Sequence, residues 1–219
     1  MKGYIKRNER GQVGIGTLIV FIALVLVAAI AAGVLINTAG FLQTQAEQTG
    51  EDSTSQVANN INVIGEVGVV NDTNDGINQT RLTVQRSPGS DNVDLTELSI
   101  QYVGDNGFAN YIHTSKNPSD NSYGIEAITA SSSGDAVMTD DSDRYQIIIP
   151  FEAVLSDGTS PNYAEAGGTG NTDELNSTLS DLATGNEAEL EITTADRATR
   201  NAFIQVPDTI ESDESEVTL

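Results

Sequence analysis

The sequence predicts an α+β protein: one long N-terminal hydrophobic α-helix followed by an antiparallel β-sandwich-like outer domain. Three observations carry this reading. From Gly11 to Ala46 the chain runs 36 residues without a charged side chain, and within that stretch Leu18 to Ile36 is apolar throughout. After Gly65 the hydrophobic period changes from helical to alternating, most clearly in Glu187-Ala188-Glu189-Leu190-Glu191-Ile192. Stretches rich in Gly, Ser, Asn and Asp at 71–78, 104–107, 131–135 and 156–173 then supply turns between the alternating runs.

The apolar run of 19 residues is long enough to cross the hydrocarbon of a bilayer as a helix, and too long for an ordinary core helix. It holds 13 large aliphatic or aromatic residues. At about 1.5 to 3 kcal/mol each, removing them from water is worth roughly 20 to 40 kcal/mol. A free monomer is therefore not expected to persist in water. Lys2, Lys6, Arg7 and Arg10, against a single Glu9, precede the run. Such a basic cluster stays cytoplasmic, so everything after the span is expected outside. Small residues at helical spacing, Ala28 with Ala32 and Ala29 with Gly33, would let like helices approach closely. The plainer alternative is that Ala and Gly are simply common in membrane helices. Gly50 is a candidate break. Val57, Ile61 and Ile64 recur at helical spacing, which extends the helix to residue 64. The expected division is a leader at 1–11, a core helix at 12–64 and a β-rich domain at 65–219.

Within that last segment the candidate strands are Glu66 to Val70, Thr80 to Arg86, Val93 to Val103, Arg144 to Phe151, Glu187 to Thr194 and Arg200 to Val206. The ending ESDESEVTL reads as a solvated acidic tail.

Charge narrows the function. Thirty-two Asp and Glu face 10 Lys and Arg, a formal net charge of −22. Nucleic acid is excluded as a partner by like-charge repulsion. Lys116 is the one Lys beyond residue 10. This near-absence of Lys, with an acid excess spread along the chain, suits a surface kept soluble in concentrated salt, where the Debye length falls to about 3 Å. An ordinary acidic exported protein is the alternative. The chain has no Cys, so disulfides and thiol metal sites are absent.

Signals for catalysis are missing: one His, no G-x-S-x-G, no H-E-x-x-H and no phosphate-binding G-x-x-x-x-G-K. The expectation is a non-enzyme without cofactor or metal. His113 reads as a structural or surface residue. Asp140, Asp141 and Asp143 lack the spacing and the glycine of a calcium loop and read as a solvated acidic turn. Three sequons, at Asn71, Asn78 and Asn176, lie in loop-like polar context and are candidate N-glycosylation sites.

The segment Arg10-Gly11 followed by QVGIGTLIVFIALVLVAAIAAGVLINTAGFLQ closely resembles the N-terminus of the archaeal flagellins, or archaellins, over roughly Lys6 to Gln45. That resemblance implies a type IV pilin-like precursor, cut by a prepilin-type peptidase between Gly11 and Gln12, whose apolar helix remains on the mature subunit. Bacterial type IV pilins usually carry Glu at the fifth mature position, where this chain has Gly16. It further implies an extracellular motility filament built of this and other archaellins, with a membrane platform protein and an assembly ATPase as partners. Membrane insertion would then be transient. An adhesive type IV-like pilin and a single-span membrane-anchored surface binding protein are the alternatives.

Overall fold

Two asparagines decide where the helix stops. The structure, a computed structural model, describes residues 6–71, 75–116, 121–130, 136–151, 177–211 and 214–219. It divides into two compact units, Met1–Glu51 and Asp52–Leu219. The helix α1 runs Lys6–Ala58, 53 residues, a length of about 80 Å at 1.5 Å per residue. It passes through Gly50 without a break. It ends six residues before the expected position 64, because Asn59 and Asn60 turn their side chains onto backbone and loop groups in place of the helical ladder. The Asn60 Oδ1 accepts from the Ile61 amide at 2.8 Å. Buried Asn59 donates to Asp196 at 2.9 Å and accepts from the Asp91 amide at 2.8 Å. Ile61 and Ile64 therefore belong to a strand; Ile61 is 1% exposed in the core, whereas Val57, still helical, is 81% exposed.

The second unit is built from strands β1 (Ile61–Val70), β2 (Gly76–Arg86), β3 (Val93–Asp94), β4 (Ser99–Gly104), β5 (Gly107–His113), β6 (Ser122–Thr129), β7 (Val137–Met138), β8 (Arg144–Pro150), β9 (Leu182–Ala183), β10 (Glu187–Thr193), β11 (Thr199–Gln205) and β12 (Glu216–Thr218). Ten of them form one sheet in the order β11-β10-β4-β5-β6-β8-β2-β1-β12, with β9 beside β2. All its pairings are antiparallel except β5 with β6, where Ile112 faces Ser122 and His113 faces Tyr123. The expected sandwich is thus one continuous sheet whose two antiparallel halves are joined by that parallel pair. The halves meet across a shared core, where the Tyr102 and Phe151 rings lie 5.2 Å apart.

The long strand expected over 93–103 is interrupted at Leu95–Glu97 by a turn of 3-10 helix. Its cap is Asp94, whose carboxylate accepts from the Thr96 amide at 2.8 Å. The expected solvated tail is also corrected. Val67, Gly68 and Val69 of β1 pair with Thr218, Val217 and Glu216, and Val217 is buried. A side chain at Gly68 would collide with Ile77 and Leu219, so this approach requires glycine.

Four wholly buried tyrosines tie the sheet to its loops. Tyr102 donates to Asn106 at 2.5 Å, Tyr111 to the Pro150 carbonyl at 2.7 Å, Tyr123 to the Leu95 carbonyl at 2.7 Å and Tyr145 to the Val137 carbonyl at 3.3 Å. A buried ring with a satisfied hydroxyl contributes apolar area without an unpaired polar atom. Burial raises Tyr111 to about 12, and raises Tyr102 and Tyr123 further still.

These shifts set an alkaline limit. Above the unfolded tyrosine value of 10.0 the native state holds protons that the unfolded chain releases, so stability present below pH 10 is lost as pH rises towards the folded values. Titrating the subunit in molar salt and detergent at 295 nm should show most tyrosinate appearing together with loss of the β circular dichroism signal. Complete ionisation near pH 10 with that signal intact would contradict the assignment.

Candidate functional site

The site that stands out is a surface. From Val13 to Thr54 every residue of α1 is exposed, the 19-residue apolar run included. Leu18, Phe21, Leu24, Ile30 and Leu35 each show more than half of their surface. A helix apolar on all sides has no solvent-facing stripe and must be surrounded. Three of its hydroxyls are satisfied locally. Those of Thr17, Thr38 and Thr44 donate to the carbonyls of Gly14, Val34 and Gly40 at 2.9, 2.8 and 3.1 Å. Ala28, Ala29, Ala32 and Gly33 all lie on this exposed helix, and a Cβ built on Gly33 meets nothing within 4 Å. Gly11 and Gln12 fall within α1 as well.

The sequons differ from one another. Asn71 directly follows β1, and its Nδ2, the atom a glycan would occupy, donates to Asp75 and Asp181 at 2.8 Å each. Asn78 is not in a loop. It lies in β2, where its carbonyl accepts from the Phe151 amide at 2.8 Å, and Thr80 of the same triplet is wholly buried. Asn176 lies outside the described residues.

The acidic turn is corrected too. Asp143 is wholly buried, and its Oδ2 accepts from the amides of Thr139 and Asp140 at 2.9 Å each, so it holds the turn before β8 instead of facing solvent. Asp141 pairs with Arg86 at 2.5 Å. Among the described residues no group of three His, Asp or Glu is arranged to hold a metal. His113 is 4% exposed, hydrogen-bonded through Nδ1 to Ser115 at 2.7 Å and stacked edge-on against Tyr123; burial lowers its pKa, the neutral form of a structural residue.

One feature escaped the sequence reading. Register aligns Phe108, Val103, Glu189 and Phe203 across β5, β4, β10 and β11 on the outward face. The signal was present in the Arg200 to Val206 run, where Phe203 takes the parity of Asn201 and Gln205 and not that of buried Ala202 and Ile204.

Comparison with known proteins places these features in a family. A family model of archaeal-type flagellin matches residues 11–206. Flagellin B1 of Halobacterium salinarum is 47% identical over 151 residues, 68% of this chain and 76% of the relative. Flagellin A2 of Haloferax volcanii is 40% identical over 189 residues, 80% of this chain and 86% of the relative. In fold, the chain is similar to the archaeal flagellum of Methanospirillum hungatei, with a TM-score of 0.58 at 14% identity over 90% of this chain and 95% of that one. Flagellin FlaB1 of Methanocaldococcus jannaschii aligns with a TM-score of 0.50 at 15% identity, over 74% and 96%. The exposed apolar helix, the β-rich unit and the match over 11–206 agree: the chain belongs to the archaeal-type flagellin family, the structural subunits of the archaeal motility filament.

Proposed function

We propose that this archaellin is made as a precursor, cut between Gly11 and Gln12 by a prepilin-type peptidase, and polymerised through the helix from Gln12 onward into the extracellular archaellum. The observation that carries the reading is the wholly exposed apolar run of α1. In the precursor, lipid covers it. The basic residues Lys2, Lys6, Arg7 and Arg10 hold the N-terminus in the cytoplasm and leave the β-rich unit outside. In the filament, equivalent helices of this and other archaellins cover it. Lipid tails are as apolar as leucine, so transfer from bilayer to bundle gains little hydrophobic energy. Extraction therefore needs driving, which fits a membrane platform protein and an assembly ATPase as partners. Close packing along Ala28/Ala32 and Ala29/Gly33 supplies the specificity. The role is structural, with no catalysis or cofactor, and torque comes from elsewhere.

Glycans are added outside the cell at Asn71, Asn78 and Asn176 in this reading, with different requirements. At Asn71 the sugar displaces at least one carboxylate from the side-chain nitrogen. At Asn78 attachment precedes the capture of β2 by its neighbours, because the folded sheet hides Thr80.

Electron microscopy of filaments sheared from swimming cells, with intact-mass analysis of their subunit, tests the proposal. The expected subunit starts at Gln12. A subunit retaining Met1, or starting near Ala32, would overturn the processing site. A bulky residue at Gly11 should leave uncut precursor in the membrane. Ala32→Asp should be synthesised without filament formation, since an unpaired carboxylate among packed helices costs several kcal/mol. Normal filaments from that variant would show that this face of α1 is unpacked.

A further inference from the structure

We propose that Asn106 is the chain's intrinsic deamidation site, and that Tyr102 and the Ser180 carbonyl hold its side-chain amide so that the site stays closed in the folded subunit. The inference goes beyond the filament reading and does not depend on it, since it concerns one turn of the β-rich unit.

The sequence sets the chemistry. An asparagine deamidates when the backbone nitrogen of the next residue attacks its side-chain carbonyl carbon. The new C–N bond closes a five-membered succinimide, and the side-chain nitrogen leaves as ammonia. Water then opens the ring at either carbonyl, giving aspartate or isoaspartate, and is the only co-reactant. A side chain on the attacking residue hinders the approach; glycine, without a Cβ, does not. The chain has one Asn-Gly pair, Asn106-Gly107. It lies in the turn between β4 and β5, where Gly107 is exposed to water and has a φ of 137°, a conformation open to glycine.

The structure opposes what the sequence permits. Ring closure requires the side chain of Asn106 to swing its carbonyl carbon onto the Gly107 nitrogen. Its Oδ1 accepts from the Tyr102 hydroxyl and its Nδ2 donates to the Ser180 carbonyl, at 2.5 Å each. An amide held through both its oxygen and its nitrogen cannot make that swing without breaking a bond. The holder is itself fixed. Tyr102 is wholly buried against Phe151, and burial keeps its phenol protonated, so it remains a donor. The turn closes tightly around this contact: a Cβ on Gly104 would collide with the Tyr102 hydroxyl, and one on Gly107 with Leu179.

Either product undoes the arrangement. A carboxylate at position 106 has no N–H to give Ser180 and stands next to Asp105 in the chain. Isoaspartate also adds a methylene to the backbone of a turn whose register sets Gly104 opposite Gly107. The two hydrogen bonds therefore give chemical protection as well as stability.

The test follows Asn106 by peptide mass and isoaspartate content in the detergent-held subunit, incubated in molar salt at mildly alkaline pH. Deamidation should be at least tenfold slower than in the same chain unfolded in urea. Tyr102→Phe should lose most of that protection well below its melting temperature. Tyr111→Phe, which deletes an equally buried hydroxyl bonded to the Pro150 carbonyl, should keep it. Equal rates in folded and unfolded chains, full protection in folded Tyr102→Phe, or equal loss in Tyr111→Phe would overturn the proposal. Should Tyr102→Phe not fold, Asn106→Asp takes its place: amide exchange at Leu179 should rise at least tenfold, and unchanged exchange would overturn the clamp. Filament formation enters neither measurement, so failure here leaves the filament reading standing.

Discussion

The interaction on which everything else depends is one the free subunit cannot make. Nineteen consecutive apolar residues emerge on a helix with no core of its own chain around them. The hydrophobic effect gives that arrangement a large penalty in water, roughly 20 to 40 kcal/mol for the large side chains alone. Lipid or other helices must remove it. In the proposed reading one element meets both demands, covered by lipid before assembly and by like helices after it.

The β-rich unit solves the opposite problem. It closes its own core with Leu82, Ile147, Tyr102, Leu190 and their neighbours, and commits Arg81, Arg86 and Lys116, half of its few cations, to internal ion pairs. What remains outside is overwhelmingly acidic, as solubility in concentrated salt requires and as haloarchaeal relatives make coherent.

Much of the architecture could be read from the residues, and the failures have physical causes. Strands β10 and β11 were legible because one side of each faces the core and the other faces water, giving alternation, and β8 was legible from Tyr145, Ile147 and Ile149 although Ile148 between them is buried as well. Strand β6 was missed because Ser122 to Ile125 are buried on both faces where the two halves of the sheet join, which erases the period of two. Strand β12 was hidden by its acidic surroundings, since a single buried Val217 flanked by Glu216 and Thr218 carries no periodic signal. The helix end was misplaced because Ile61 falls at a helical spacing from Val57 by coincidence, while the stop signal lay in Asn59 and Asn60. Of the site, the apolar stretch was evident at once. The sequon at Asn78 was misjudged because polarity alone does not distinguish a loop from the start of a central strand.

The central claim is that α1 alone makes the subunit polymerise, and that the β-rich unit needs no such cover. Sedimentation in molar salt, free of detergent and lipid, tests it by comparing the chain from Gln12 with one beginning at Asp52. The longer chain should pellet as polymer, and the shorter should remain monomeric at micromolar concentration with its β signal intact. A monomeric longer chain, or a shorter chain that polymerises by itself, would contradict it.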